Sequence, residues 1–493
     1  MIDARCGSSS APTRAVRPTS RARARAVAKL GHVSAARPTP PPDTIVAIAT
    51  PPGRGGIGIV RVSGNAASVA SIARGVAGIA LTPREAAFVT FRGERGEPID
   101  QGLALAFAAP ASYTGEAVVE FHGHGSPAAL RLVVARCLAL GARIAEPGEF
   151  TKRAFLNGKL DLAQAEAVAD LIDAASATAA RAAARSLAGA FSREVQGIVD
   201  AVIELRTVTE ASLDFPDEDL EFVRASDAAH KLARVRSDAA RLLARAATGA
   251  RLATGLVVVL VGQPNVGKSS LMNRLARDDV AIVTDVPGTT RDLVERAVEI
   301  GGIPLTAIDT AGLRDSDDMV ERIGIERAWA AVARADLALV LVDARESGDG
   351  VTGADRAILA RLPAALPRIV VHNKTDLAGR AGGTELRGGV AHVWLSALDG
   401  RGVGALEREV LAIAGVESAG EDAFVARARH LAALRAAGAH LAAAAAHLAA
   451  PSPPLELYAE ELREAQNALA SITGAFGADD LLGVIFSRFC IGK

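Results

Sequence analysis

Cysteine is scarce: Cys6, Cys137 and Cys490 are the only three in 493 residues. They are too few and too scattered for a disulfide framework or a zinc-ligand spacing, which suits a reducing compartment. Aromatic residues make up 3% while alanine abounds, a balance that favours long helices over β-sandwiches. An excess of one charge is lacking too. The 55 Lys and Arg nearly offset the 56 Asp and Glu, for a formal net charge of −1. Any RNA binding must therefore use local patches. No stretch supplies the roughly 20 strongly apolar residues of a membrane span, and the tract Ala442–Ala446 is helical but only weakly hydrophobic. What is present is apolar bulk, 50% of the chain, ample for several cores. The length suggests roughly three domains.

Residues 1–42 are rich in Arg, Pro, Ser and Ala, with Asp3 the only acid. They cannot bury a core and are expected to be disordered. The same composition describes an organellar transit peptide. Without an amphipathic period, a solvated tail or a start codon called too far upstream is the favoured reading. From Asp43 the composition turns globular. Thr44–Thr50, Ile57–Val62, Ala104–Phe107 and Ala117–Phe121 read as strands, and Pro51–Gly56 as a loop. They predict a compact α/β domain reaching about residue 155. His122 and His124 in FHGHG invite a metal reading, but no third ligand lies at suitable spacing, so a polar turn is expected. Pro147–Arg153 reads as a polar hinge. Asp161 with Gln164 predicts a capping box. Helical patterning then runs from Leu162 to about Asp214, is interrupted at Phe215-Pro216, and resumes over Ala225–Ala247. It returns at Phe424–Ala449, Leu455–Ile472 and Asp479–Phe489, with a Pro-rich turn at Pro451–Pro454.

Between the helical runs stands LVVVLVGQPNVGKS, residues 256–269. Leu256–Val261 reads as a buried parallel strand, and Gly262-x4-Gly267-Lys268-Ser269 has P-loop spacing. Glycines let backbone N–H groups close around phosphate oxygens. Asn265, Val266, Gly267, Lys268, Ser269 and Ser270 form the phosphate-side set: Lys268 reaches the β and γ phosphates, and Ser269 ligates Mg²⁺. Thr284, Asp285, Val286, Pro287, Gly288, Thr289 and Thr290 form a candidate switch I. Asp309, Thr310, Ala311 and Gly312 follow the apolar Leu305–Ile308 and would meet the metal and γ-phosphate. Asn373, Lys374, Thr375 and Asp376 follow a strand-like Arg368–Val371, and Ser396, Ala397 and Leu398 complete the base pocket. Asp376 accepts from guanine N1 and N2, which adenine cannot offer, so such a site rejects the wrong base by ~10⁴-fold. These motifs predict a GTPase.

The predicted fold class is multidomain α/β plus α. It has a tail (1–42), an N-terminal α/β domain (43–157) and a helical domain in two parts (158–253 and 417–493). A P-loop, Ras-like GTPase domain (254–416) is inserted between those parts.

Three further stretches narrow the reading: TPPGRGGIGIVRVSG (50–64), PGEFTKRAFLNGKLDLAQAEAVADLIDA (147–174) and DDLLGVIFSRFCIGK (479–493). With the inserted GTPase domain, residues 43–493 closely resemble the MnmE (TrmE) family of tRNA modification GTPases. The resemblance implies a cytoplasmic homodimer through the N-terminal domain, with the Arg-rich tail leaving the mitochondrial matrix as an alternative. It implies a heterotetramer with the flavoprotein MnmG, which carries the FAD, and tRNA as substrate. The product would be a carboxymethylaminomethyl group on carbon 5 of the wobble uridine, from a tetrahydrofolate one-carbon donor. By resemblance, Arg61, Glu120, Lys159 and Lys493 are the folate positions, cations suiting the folate's glutamate tail. Leu313 follows Gly312, so the glutamine that positions water in Ras-type enzymes is missing. The resemblance implies K⁺ at the phosphates, held by Asn265, Thr284, Val286 and Thr289, with Mg²⁺ on Ser269 and Thr290. Glu321 matches the catalytic glutamate, and the alternative to K⁺ is Arg291 or Arg314 as a conventional finger. Cys490 either assists at the folate site or is a buried structural thiol; Gly492 is not aliphatic, which argues against prenylation. The rival reading is an Era/Der-like ribosome-assembly switch, which a C-terminal KH-like GXXG segment would support.

Overall fold

The computed structural model describes residues 43–214, 227–278, 294–309, 329–347, 350–415, 423–474 and 492. The N-terminal tail and the expected helix Asp479–Phe489 lie outside the described residues.

The first unit is a mixed sheet of β1 (Ile45–Ile48), β2 (Gly55–Gly64), β3 (Ala87–Arg92), β4 (Pro98–Phe107), β5 (Ala117–Gly125) and β6 (Arg143–Ile144), in the order β3-β4-β5-β2-β1-β6. Helices α1 (Ala66–Ala77) and α2 (Pro127–Ala139) pack onto it. Alternation explains the two faces. Val60 and Val62 of β2 and Val119 and Phe121 of β5 are buried in the core with Val69, Ile72 and Val76 of α1, which recur at helical spacing. Arg61 and Glu120, the residues between them, project from the opposite face. Cys137 is buried in this core, where desolvation pushes its thiol up to about 12 and leaves it inert.

Two expectations are corrected here. His122 and His124 lie within strand β5, not in a turn; each is held by a carboxylate of the sheet, Glu120 at 2.9 Å and Asp100 at 2.8 Å. Pro147–Arg153 is not a hinge either, since Glu149–Leu156 forms helix α3. Its charges are internal: Arg153 is 1% exposed and pairs with Asp43, Glu116 and Glu149. Polar composition looked like solvent exposure because the partners are distant in sequence. Strand β3 and helices α1 and α2 were not anticipated.

The expected long helical run divides into α4 (Leu162–Ile172), α5 (Ala177–Leu187) and α6 (Ala190–Asp214), followed by α7 (Ala228–Thr254). The breaks have local causes. Ser176 caps α5 by accepting from the Ala179 N–H, and Gly189 precedes α6. Asp161 and Gln164 form the predicted capping box of α4.

The chain then enters a second sheet built from β7 (Leu256–Gly262), β8 (Val294–Ile300), β9 (Ile303–Asp309), β10 (Leu337–Asp343), β11 (Arg368–Asn373), β12 (Gly383–Arg387) and β13 (Val390–Trp394). Its order is β12-β13-β11-β10-β7-β9-β8, parallel except at the edge strands β8 and β12. Both faces are covered, as a parallel sheet requires. Val258 and Leu260 of β7 enter one core, with residues of α8 (Lys268–Asp278) and α10 (Val403–Ala414). Val259 and Val261 enter the other, with Ile358 of α9 (Gly353–Arg361). Ala182 and Ala183 of α5 join the first of these cores, and Ser176 Oγ donates to the Gly302 carbonyl at 2.7 Å.

After α10 the chain returns to the helices with α11 (Ala428–Leu448) and α12 (Leu455–Thr473). Val202 of α6, Leu232, Val235 and Leu242 of α7, Leu434 and Leu441 of α11, and Tyr458 and Leu462 of α12 share one core. Helix α11 alone among the described residues is long and apolar enough to cross a membrane, contrary to the expectation from sequence. Its leucines serve the bundle core instead.

The two helical segments are clamped by charge. Glu166 of α4, 2% exposed, receives Arg429 at 2.8 and 2.7 Å and faces His430 at 2.9 Å. Arg427 pairs with Asp170 at 2.6 Å, and Arg429 also donates to the Ser471 and Ile472 carbonyls. Burial pushes the Glu166 carboxyl up, but His430 and Arg429 outweigh it and hold it at about 2. Removing one partner of a buried pair strands the other charge, at a cost of ~3–5 kcal/mol. Glu166→Ala is therefore expected to lower stability by that amount in urea denaturation. An unchanged midpoint would show that the clamp is dispensable.

Candidate functional site

The first site sits at the C-terminal ends of β7 and β11. Strand β7 ends at Gly262, and α8 begins at Lys268. Between them Asn265 adopts φ 62° and Gly267 φ 96°. A Cβ on Gly267 would lie 2.3 Å from Asn373 Nδ2, so no other residue fits that position. The Lys268 ammonium donates to the carbonyls of Gly262 and Gln263, both at 3.1 Å, which keeps its charge over the loop. Ser269 and Ser270 are exposed at the first turn of α8. A helix N-terminus with a lysine over it is a site for phosphate.

Asn373 ties this loop to a second one. Buried, it donates through Nδ2 to the Val266 carbonyl at 2.8 Å and accepts the Ala397 N–H on Oδ1 at 3.0 Å. Lys374, at φ 67°, donates to the Asn265 carbonyl at 2.6 Å and to Asp343 at 2.8 Å. Hydrogen bonds from Arg345, chiefly, hold the Asp343 carboxyl well below the usual range, against its burial, and Lys374 adds to them. Thr375 and Ser396 are buried, and Arg274 donates to the carbonyls of Ala397 (3.2 Å) and Leu398. Asp376 is half-buried, and no described residue bonds its carboxylate. Both of its oxygens are thus available to a paired donor such as guanine's N1 and N2. Asp343 and Arg274 were not among the expected site residues, although Asp343 ends an apolar strand just as Asp309 does. Asp309 closes β9, opposite Leu260 in register. Thr284–Thr290, Arg291, Thr310–Gly312, Leu313, Arg314 and Glu321 lie outside the described residues.

Directly before Asn373, His372 is wholly buried. Its Nε2 meets His392 Nδ1 at 2.9 Å, and its ring stacks on Trp394 with centroids 4.5 Å apart. Burial, and then the neighbouring His392, hold the His372 pKa at about 4.

The second site lies on the face of the N-terminal sheet opposite α1 and α2, partly covered by Phe150 of α3. Arg61 of β2 and Glu120 of β5 are register partners, with Nε donating to Oε1 at 2.7 Å. His122 meets the other oxygen of Glu120 at 2.9 Å. The rings of Tyr113 and Phe150 flank the guanidinium, with centroids at 5.6 and 5.7 Å. Desolvation raises the Glu120 pKa, but the charge of Arg61 and the bonds from His122 and Arg61 bring it below its usual value. Lys159 packs its stem beside Gly115, on the segment that carries Tyr113. Lys493 and Cys490 lie outside the described residues, but Gly492 is buried against Ile48, whose strand neighbour Ala47 pairs with Arg61. Tyr113, Phe150 and His122 were not expected here. Only the strand register brings His122 to Glu120's side.

Comparison with known proteins bears on both sites. The family model of the MnmE helical domain matches residues 162–490, and that of the GTP-binding protein TrmE N-terminus matches residues 44–159. The chain is 56% identical over 453 residues to the tRNA modification GTPase MnmE of Chromobacterium violaceum, covering 92% of this chain and 99% of that one. It is 58% identical over 453 residues to that of Laribacter hongkongensis, with the same coverage. Among solved structures, Aquifex aeolicus Era bound to GDP and AlF4⁻ matches at 28% identity, covering 38% of this chain and 66% of that one, with a TM-score of 0.26. That likeness is too partial to carry the fold.

Two outcomes follow from the first site. Asn373→Ala orphans a buried carbonyl and a buried N–H, each worth ~1–3 kcal/mol. GDP affinity, measured by calorimetry, should fall at least ~10-fold with helix content retained. Unchanged affinity would show that the loops do not need the tether. For His372, the unfolded pKa lies near 6.5 and the folded pKa at about 4. Its contribution is complete above pH 6.5 and is lost as pH falls through that window toward 4, because the unfolded chain takes the proton first. The loss amounts to ~3 kcal/mol at most. His372→Gln should flatten the fall in melting temperature between those pH values, and an unchanged profile would place the titration elsewhere.

Proposed function

This chain belongs to the MnmE family of tRNA modification GTPases, and from that membership we propose how its two sites are used. The chain binds and hydrolyses GTP at the P-loop site, and it works in tRNA modification. With the flavoprotein MnmG, which carries FAD, it adds a carboxymethylaminomethyl group to carbon 5 of the wobble uridine, using a tetrahydrofolate one-carbon donor. It acts in the cytoplasm as a homodimer that assembles with MnmG. The relatives offer no support for the mitochondrial alternative.

The observation that carries the GTP reading is the Asn373 side chain, which spans the phosphate loop and the Ala397 loop. This tether sets the distance between phosphate and base. Asp376 reads guanine, Lys268 offsets phosphate charge, and Asn373, Lys374 and the Ser396–Leu398 backbone shape the pocket. The donors assigned to ions are all hard oxygens: Ser269 and Thr290 for Mg²⁺, and Asn265, Thr284, Val286 and Thr289 for K⁺, a set that fits such cations. When bound, they offset charge developing on the phosphates, the role an arginine finger plays elsewhere. Glu321 orients the attacking water. At the second site, Glu120 uses one acceptor position on each oxygen for Arg61 and His122, and a carboxylate has others left for a pterin's donors. Tyr113 and Phe150 wall that site, and Lys159 and Lys493 suit the folate's carboxylates. The resemblance assigns Cys490 to this site as an accessory group, with a structural thiol as the alternative.

Mass spectrometry of wobble uridines from cells lacking this protein tests the reading. The modified nucleoside should vanish and return with the wild-type gene but not with Arg61→Ala. Unchanged nucleosides would favour the ribosome-assembly switch instead. Hydrolysis should run at least ~10-fold faster in KCl than in matched NaCl, a part of the ~10³–10⁵ that an arginine finger supplies. Asn265→Ala should remove the difference. Equal rates in both salts, with only Arg291→Ala or Arg314→Ala inactive, would replace K⁺ by a conventional finger.

A further inference from the structure

Helices α7 and α11 pack against each other through Leu232, Val235 and Leu242 on one side and Leu434, Ala437 and Leu441 on the other. Above that seam they part. A cleft of about 520 Å³ opens between them, lined by Arg236, Ser237 and Ala240 of α7 and by Leu434, Arg435 and Gly438 of α11, among others. Its shape follows from side-chain size. A Cβ built on Gly438 meets nothing within 4 Å, and Ala233 and Ala240 contribute only methyl groups. The lining residues of α7 run from 233 to 243, ~15 Å of helix.

The charges lining the cleft are of one sign. Of the cations on α7, Lys231 pairs with Glu204 at 2.8 Å, Arg241 with Asp238 at 2.6 Å and Arg245 with Glu194 at 2.6 Å, while Arg234, beside the cleft residue Ala233, is exposed and has no ion pair among the described residues. Arg236 of α7 and Arg435 of α11 stand exposed at the cleft, and among the described residues neither has an ion pair and no carboxylate lines it. Two guanidinium forks, one from each helix beside a small-residue floor, suit phosphates, because each fork matches a phosphate's oxygens in a bidentate manner. The floor offers one side-chain hydroxyl, Ser237, and otherwise alanine, glycine and leucine. It therefore has little with which to read a base edge or pair with a peptide strand, and such a surface positions a backbone without reading sequence.

We propose that the α7–α11 cleft is a docking groove for the phosphodiester backbone of the tRNA substrate, held by Arg236 and Arg435. The inference rests on the role in tRNA modification. With a net charge of −1 the chain cannot attract RNA as a whole, so binding has to use a local basic patch, and this pair supplies one.

The test uses the full-length protein with a labelled, unmodified tRNA transcript, followed by fluorescence anisotropy across a KCl series. Each phosphate contact contributes about 1 to the slope of log affinity against log salt. The double variant Arg236→Gln/Arg435→Gln should lose about 2 from that slope and at least ~10-fold in affinity at low salt, with GTP hydrolysis unchanged as proof of fold. Arg236→Lys/Arg435→Lys should keep most of the slope, because charge persists. Gly438→Leu should fill the cleft and weaken binding while leaving both arginines in place. An unaltered slope in the Gln double variant, or no tRNA binding by the wild type, overturns the proposal. So does displacement of tRNA by poly-glutamate of matched charge as readily as by free tRNA, which would assign the cleft to an acidic protein segment. These results are separable from the role itself. Lost wobble modification in the deletion strain with an unaltered slope removes the groove alone, whereas normal wobble nucleosides remove the tRNA role whatever the slope.

Discussion

The buried carboxylate of Glu166 holds together two pieces of chain that meet only in space. Its partners Arg429 and His430 lie more than 250 positions away, and between them the chain leaves the bundle, builds the P-loop sheet and returns. Loop-closure entropy grows only slowly with length, so an insertion of this size costs little provided the ends are fixed. Glu166, Asp170, Arg427 and Arg429 do that fixing with charge, and the α6–α7–α11–α12 core does it with apolar area. Neither half of the bundle has a complete core without the other. The ends of the insert are anchored as well: Arg251, near the end of α7, donates to the carbonyls of Ile413 and Ala414 at the end of α10.

That arrangement places the nucleotide site in contact with the bundle through a short path. Strand β9 carries Asp309 at one end and adjoins Gly302 at the other, where Ser176 of the α4–α5 junction donates to the carbonyl. Helix α5 buries Ala182 and Ala183 in the core beneath β7 and β9. A shift of β9 with nucleotide state therefore has to be absorbed by α5 or passed to it, since close-packed cores do not deform continuously.

How much was legible in the sequence follows from how local each feature is. The phosphate loop and Asn373–Asp376, proposed to read guanine, are short motifs local in sequence, so their chemistry could be argued directly. The capping box at Asp161 and Gln164 was legible for the same reason. The pairing of Arg61 with Glu120 was reached only by resemblance, because it depends on the register of two strands separated by 59 positions. The Pro147–Arg153 segment misled for a related reason. A run of charges reads as solvated until Asp43 and Glu116, far away in sequence, are seen to neutralise it. His372 was invisible altogether, since nothing local distinguishes a stacked, neutral histidine from an exposed one.

Gly492 closes the argument about how distant segments come to share a site. Its φ of +102° is a conformation that L side chains rarely adopt, and an added Cβ would come within 2.1 Å of the Ile48 carbonyl oxygen. Only glycine permits that approach. Ile48 ends the strand that pairs with β2, and Arg61 lies opposite Ala47 on that ladder. That packing sets residue 492 against β1, the strand whose Ala47 pairs with Arg61. A backbone constraint at one residue thus brings a position near the end of the sequence to the strand beside Arg61, within a single chain.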